Sequence, residues 1–256
     1  MEKMIGIIIQ ARINSSRLPR KVLKKIEGKT VLEHVIERIK KVQNCSKIIL
    51  ATTDKKQDDI LERMAKKLNI PVFRGSEDDV LDRYYQAAKL FKIDPIIRIT
   101  ADCPLIDSRV VERAIDIYLK GNYDYVSNIR PPTFPDGLDV EIFSFKALEK
   151  SWKEAGMRSE REHVTSYILK NPRIFKMGNL ANNDNISHLR LTLDRNEDIL
   201  LIRRIYKELY SENPFFGLID IIKLFKEKPE LIKINQHINR NEGYSRSLTE
   251  DKIYEK

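Results

Sequence analysis

MIGIIIQARINSSRLPRKVL, residues 4–23, decides how the rest of the chain is read. An apolar run stops at Gln10, and by residue 21 the chain has added Arg12, Arg17, Arg20 and Lys21, with Ser15 and Ser16 among them. A continuous apolar run is what a strand covered on both faces looks like. A cationic loop poured out of such a strand points to a polyanion, with phosphate first among the candidates. Arginine offers a planar fork, lysine a point charge, and loop amides can form an anion-binding nest. With only nine glycines, and neither GxGxxG nor GxxxxGK[ST], the charge has to come from the side chains themselves. The rival reading is a solvated basic loop; its position directly after the first strand favours phosphate.

Outward from this stretch, strands and amphipathic helices alternate. Residues 30–43 carry apolar positions 31, 32, 35, 36 and 39, a helical spacing with Thr30 as N-cap. KIILATT (47–53), the short IPVFRGS and PIIRIT (95–100) read as buried strands, separated by helices at 58–69 and 79–91. A helix at 108–119 and the strand YDYVSN follow. This is the βαβ rhythm of a doubly wound α/β fold with a mostly parallel sheet. Ligands of such sheets sit at the carboxyl ends of the strands, so loops 10–21, 52–55, 74–79 and 101–107 are expected to line one cleft. Beyond residue 130 the rhythm breaks: a proline-rich turn, a helix over SEREHVTSYILKNP, strands at FKMGNL and LRLTLD, and helices at 196–210 and 218–227. The expected organisation is one domain over 1–235, with 130–180 inserted into it, and a polar tail at 236–256 that is either partly disordered or packs late.

Lys and Arg exceed Asp and Glu by nine, but the bases are interleaved with acids along helices, as in EHVIERIKKVQ, which reads as a solvated face rather than a polynucleotide track. No apolar run approaches the ~20 residues of a membrane span, and a cytoplasmic protein is expected. Two cysteines make neither a disulfide framework nor a zinc site. Cys103, beside Asp102, has no nearby histidine and reads as a packed residue rather than a nucleophile. Trp152 reads as packing on a helix, and His34, His188 and His237 show no ligand spacing.

QARINSSRLPRKVL resembles the nucleotide loop of the CMP-sugar synthetases, A-R-x-x-S-x-R-[LF]-P-G-K, a family that includes CMP-Kdo synthetases and acylneuraminate cytidylyltransferases. RGSEDDVLDRYYQAA, ITADCPLID, FPDGLDVEIF, SEREHVTSYI and INQHINRNEGYSRSL look like its spore-coat polysaccharide F-type branch. The likeness covers nearly the whole chain. One position departs: Arg20 stands where the family usually has glycine, which lets backbone approach a phosphate closely. The resemblance implies a Rossmann-like nucleotide-diphospho-sugar transferase fold, an inserted dimerisation and capping region at 130–180, a homodimer, and Mg²⁺-dependent transfer of CMP from CTP to an acidic sugar or related acceptor.

Residue by residue, the resemblance implies that Gln10, Ala11, Arg12, Ser16, Arg17, Lys21 and Thr100 bind the nucleotide, with Arg12, Arg17, Lys21 and Asp102 serving the chemistry. Asp102, just after the fourth strand, is where the family holds Mg²⁺; a hard cation on one or two carboxylates neutralises the triphosphate. Asp194 resembles the second metal ligand, against the simpler reading of a helix N-cap. Thr53, Arg74 and Gly75 lie at strand ends and would flank base and ribose, with Arg74 either contacting cytosine or sitting in a surface ion pair. Asp136, Asp139 and Glu141 are candidate acceptor contacts, against a turn followed by a solvent-facing edge. Arg161 and His163 could meet an anionic acceptor group; a helix-surface or subunit-contact role for His163 is equally open. A nucleotide-sugar glycosyltransferase of the same fold, and a non-catalytic relic that binds nucleic acid or a protein partner, are the alternatives.

Overall fold

The computed structural model describes residues 4–15, 17–240 and 242–254. Its first strand, β1 (Met4–Gln10), is an interior strand of a seven-stranded sheet. Ile7 and Ile9 enter the core on one face of the sheet and Ile8 the core on the other, the period of two that makes the apolar run continuous. β2 (Lys25–Ile26) and β3 (Lys29–Thr30) form a small separate ribbon turned through Gly28. α1 (Val31–Ile39) starts on Thr30, whose hydroxyl accepts from the Glu33 amide while Glu33 reaches back to the Thr30 amide.

From β1 the chain steps through α1 to β4 (Lys47–Thr53), then through α2 (Asp59–Lys67) to the edge strand β5 (Val72–Gly75). α3 (Val80–Phe91) then carries it back over the sheet to β6 (Ile93–Thr100), which pairs parallel with the far side of β1. That reversal is a topological switch point, and it places the loops after β1 and β6 side by side. α4 (Ser108–Lys120) leads to β7 (Tyr125–Ser127). β8 (Glu141–Phe143) runs antiparallel between β6 and β7, and β9 (Met177–Asn179) pairs parallel with β7. The strand order is β5-β4-β1-β6-β8-β7-β9, a mostly parallel, doubly wound sheet as the sequence pattern implies.

One core packs α1, α2, α4, α8 (Asn196–Leu209) and α9 (Leu218–Glu227) on the face of Ile7 and Ile9. The other packs α3 and α5 (Phe145–Glu154) on the face of Ile8. Trp152 stacks on Tyr85 and donates to Asp82, so it packs rather than holds a base. His34 is likewise structural, with Nε2 2.8 Å from the Ile26 carbonyl.

Two expected elements are corrected. SEREHVTSYILKNP is not one helix: α6 (Arg158–Glu162) ends, Val164 adopts φ +47°, and α7 (Ser166–Lys170) begins anew. The break puts His163 and Thr165 on the cleft wall described below. LRLTLD forms no ladder strand. Leu189, Leu191 and Leu193 are buried, and so are Arg190 and Thr192 between them, but the backbone bonds go elsewhere than to a ladder. The Leu191 amide donates to the Asp136 carbonyl and the Leu193 amide to that of Asp102. The segment therefore ties the carboxylate loops together instead of extending the sheet.

The loop at 133–140 depends on Gly137, which has φ +100°. A Cβ there would lie 2.4 Å from the Thr192 amide nitrogen and 2.5 Å from the Leu191 carbonyl carbon. Left-handed backbone and a backbone clash add, so Gly137→Ala is expected to cost about 3 kcal/mol in chemical denaturation; an unchanged midpoint would refute the close approach.

The tail is neither bare coil nor core. α10 (Glu242–Thr249) has no buried residue, yet lies across the sheet's ligand edge. It is held by polar contacts: Glu242 to Arg195 at 2.7 Å, Ser247 to Glu162 at 3.0 Å, and Asp251 to the amide and hydroxyl of Ser159 at 2.9 and 2.6 Å.

Candidate active site

A cleft of about 620 Å³ opens at the carboxyl ends of β1 and β6. Its floor is Gln10, Ala11, Thr100 and Asp102; the phosphate-loop candidates Arg12, Arg17 and Lys21 stand on one side, and Asp136, Asp139, Glu141 and Asp194 on the other. Ser16 lies outside the described residues.

At its centre the Lys21 ammonium lies between two carboxylates. It donates to Asp194 Oδ1 at 2.7 Å and to Asp102, and Arg17 donates to the other oxygen of Asp194 at 2.9 Å. Burial alone would raise the Asp102 carboxyl, but the attraction and hydrogen bond of Lys21 hold it down at about 2. Burial works against the Lys21 charge too, and the two aspartates overcome it, so that its pKa is raised.

Asp194 is not a helix cap. Arg195 is the N-cap residue of α8, and the carboxylate of Asp198 takes the amides of Asp194 and Arg195 at 2.9 Å each. That frees the Asp194 side chain for the cleft. Arg190 steadies this arrangement, donating to Asp198 at 2.9 and 3.0 Å and to Asp136 at 2.9 Å.

Arg20, just before Lys21, sits at φ 56°, ψ 29°, the left-handed region where the resembling loops carry glycine. Arg20→Gly is expected to stabilise the protein by about 1 kcal/mol, read as a rise in Tm of ~2–4 °C; a fall would show that the Arg20 side chain holds the loop.

On the acceptor side of the cleft, Glu141 is buried and saturated. It pairs with Arg98 and accepts from Tyr125 at 2.7 Å and from Thr165 at 2.5 Å, while Arg98 also reaches Gln10 at 3.2 Å. Glu141 thus shapes the wall through neighbours. Asp139 is bound by Arg240 at 2.5 Å, yet burial pushes its carboxyl up to about 7, helped by the nearby charges of Asp136 and Glu141. His163 lines the cleft, edge-on to Tyr244 at 5.0 Å between centroids, and burial lowers its pKa.

Four expected contacts lie elsewhere. Thr53 is fully buried and its hydroxyl is spent on Asp58, whose other oxygen takes the Ile13 amide at 2.8 Å. Arg74 turns away to Asp59 at 2.6 Å, Glu62 at 3.0 Å and the carbonyls of Thr53 and Lys55. Gly75 stays in the sheet edge, where its carbonyl takes the Asp54 amide at 2.9 Å. Arg161 is buried against Asp79, with Nε contacts of 3.0 and 2.9 Å, and has no free donor edge for an anionic acceptor. Cys103 is buried, with its thiol pushed well up by burial, and is no nucleophile. The sequence reading missed Arg83, Arg98, Thr165 and Ser166, all on the cleft wall. Arg98 had a visible signal, a charge inside an apolar strand; Arg83 and Ser166 sit in helices whose polar residues read as solvated, and Thr165 in the break before α7.

Among the described residues no group of three or more His, Cys, Asp or Glu side chains converges as a metal cage. The pair that does converge suits Mg²⁺, which takes one or two carboxylates and completes its shell with phosphate and water. A cation is already accommodated between Asp102 and Asp194, in the form of the Lys21 ammonium.

A sheet with its ligand cleft at the switch point, cationic on one wall and carboxylate on the other, defines a nucleotidyltransferase-type site. The comparisons agree. The cytidylyltransferase family profile matches residues 6–230, and the chain belongs to that family. An uncharacterized protein of Methanocaldococcus jannaschii is 40% identical over 240 residues, 93% of this chain and 96% of the relative. The spore coat polysaccharide biosynthesis protein SpsF of Bacillus subtilis is 32% identical over 88% of this chain and 95% of its own. A solved cytidylyltransferase from Leptospira borgpetersenii superposes with a TM-score of 0.88 at 35% identity, covering 93% of this chain and 100% of that one. No helix among the described residues is long and apolar enough to cross a membrane.

Proposed function

We propose that the protein transfers CMP from CTP to a hydroxyl of an acidic sugar or related acceptor, releasing pyrophosphate. The observation that carries the reading is the Lys21 ammonium buried between Asp102 and Asp194, with Arg17 on the same aspartate. Two carboxylates held on separate loops around one cation make a poor structural device and a good triphosphate site, because incoming phosphates can take the ammonium while a divalent ion takes the carboxylates. When bound, Mg²⁺ would be held by Asp102 and Asp194 and would supply charge neutralisation at the α-phosphate. Arg12, Arg17 and Lys21 bind the phosphates and the leaving pyrophosphate, orienting the α-phosphorus for in-line attack; the contribution is positioning and electrostatics. Asp136, Asp139 and His163 face the acceptor, whereas Glu141 and Arg161 position their neighbours. The names of similar proteins support a place in cell-surface polysaccharide or glycoconjugate biosynthesis. The working form proposed is a cytoplasmic homodimer.

The test is pyrophosphate release from CTP with Mg²⁺ and a panel of acceptors: 3-deoxy-manno-octulosonate, nonulosonates, neutral sugars and phosphonates. Acceptor-dependent release is expected. Hydrolysis of a nucleotide sugar without any CTP turnover would favour the glycosyltransferase; salt-sensitive nucleic-acid retention without CTP binding would favour a relic.

A further inference from the structure

α10 meets both walls of the cleft. On the α6 side, Tyr244 lies edge-on to His163 and Ser247 donates to Glu162 at 3.0 Å. On the phosphate side, Gly243 stands against the Arg17 guanidinium. A Cβ at this glycine would lie 2.9 Å from Arg17 Nη1, 3.2 Å from Nη2 and 3.5 Å from Cζ. Nη2 is the nitrogen that donates to Asp194 at 2.9 Å. The backbone does not ask for glycine here: residue 243 is helical, with no left-handed φ, and glycine weakens a helix relative to alanine. The space above Arg17 does ask for it. Residue 243 also lies beyond the 6–230 stretch that matches the cytidylyltransferase family, so the tail adds a contact to the phosphate loop from outside that match.

A side chain at 243 would move the fork rather than the helix. Arg17 is long, 34% exposed and tied to Asp194 at its tip. α10 is fixed before and after the contact. Glu242 holds Arg195 at 2.7 Å, and past the helix the Arg158 amide donates to the Lys252 carbonyl at 2.8 Å and the Tyr254 amide to the Gly156 carbonyl at 2.7 Å. Because the yielding group is the end of a flexible side chain, the displacement would cost the fold little and fall on whatever Arg17 binds.

We propose that Gly243 is a positioning residue for Arg17: bare backbone at this point lets the guanidinium lie between α10 and Asp194, where incoming phosphates can take it as a fork. This role rests on the proposed CTP-dependent function, in which Arg17 holds the triphosphate.

The experiment is calorimetric titration of the full-length protein with CTP plus Mg²⁺, on wild type, Gly243→Ala, Arg17→Lys and the double variant, with thermal melting of each unliganded protein. Ser245→Ala, at an exposed position of the same helix, is the control for helix propensity. Gly243→Ala is expected to bind CTP about tenfold more weakly, the loss of one well-aimed charged contact. Its Tm should hold or rise, since alanine favours the helix and α10 has no buried residue. Ser245→Ala should bind CTP as wild type does. Arg17→Lys removes Nη1 and Nη2 and with them the collision, so adding Gly243→Ala in that background should cost less than about twofold more. Wild-type affinity in Gly243→Ala overturns the role of Gly243. So does a tenfold loss that persists in the Arg17→Lys background, because the helix itself would then be at fault; either result leaves the function standing. A wild type that binds no CTP overturns both.

Discussion

Lys21→Met is expected to lower kcat/KM for CTP by about three orders of magnitude, because it removes a preorganised charge from the place where negative charge concentrates. The structure adds a second consequence. Without the ammonium, Asp102 and Asp194 face each other with burial unopposed, and Arg17 compensates only Asp194. Leaving buried carboxylates without their partner costs about 3–5 kcal/mol, and the Asp102 carboxyl should rise from about 2 to above the ordinary range. In the wild type, a depressed carboxyl stabilises the fold above the unfolded-state value near 4, and that contribution is lost as pH falls toward 2. The variant should lose this acid-side dependence, so denaturant midpoints between pH 2 and 5 should lie closer together than in wild type. Near-normal activity would remove Lys21 from the phosphate site.

Asp102→Asn and Asp194→Asn should each abolish most turnover, by about 10³-fold or more, for a different reason. Each leaves Lys21 one carboxylate partner, so folding suffers less than in Lys21→Met, and the loss falls on the divalent ion. Raising Mg²⁺ should recover part of the activity of either variant, and the midpoint of the Mg²⁺ titration should move to higher concentration in both. If only Asp102→Asn showed this, Asp194 would be a partner for Arg17 and Lys21 and nothing more.

The fold class was legible because the strands of residues 4–100 read as apolar runs and short helices separate them; the strand order, with an antiparallel β8 between β6 and β7, was not. The central site was legible for the same reason: Lys21 and Asp102 leave adjacent strands at the switch point. What escaped depended on hydrogen bonds that no local pattern encodes. Arg74 ends a strand in the expected place, but two acids on α2 capture it. LRLTLD alternates like a strand, but its amides are claimed by the loops of Asp136 and Asp102. SEREHVTSYI is helical in composition, and only the left-handed backbone at Val164 splits it. Arg83 occupies a helix among ordinary polar residues, and nothing in that spacing places it on the cleft wall.

α10 walls the cleft with Tyr244 and Ser247 while burying nothing of its own. Its attachment is therefore electrostatic: Glu242 on Arg195 and Ser247 on Glu162 fasten it, and Gly243 leaves room for the Arg17 guanidinium beneath. A wall fastened in this way loosens with salt, while the sheet under it, held by apolar burial, does not.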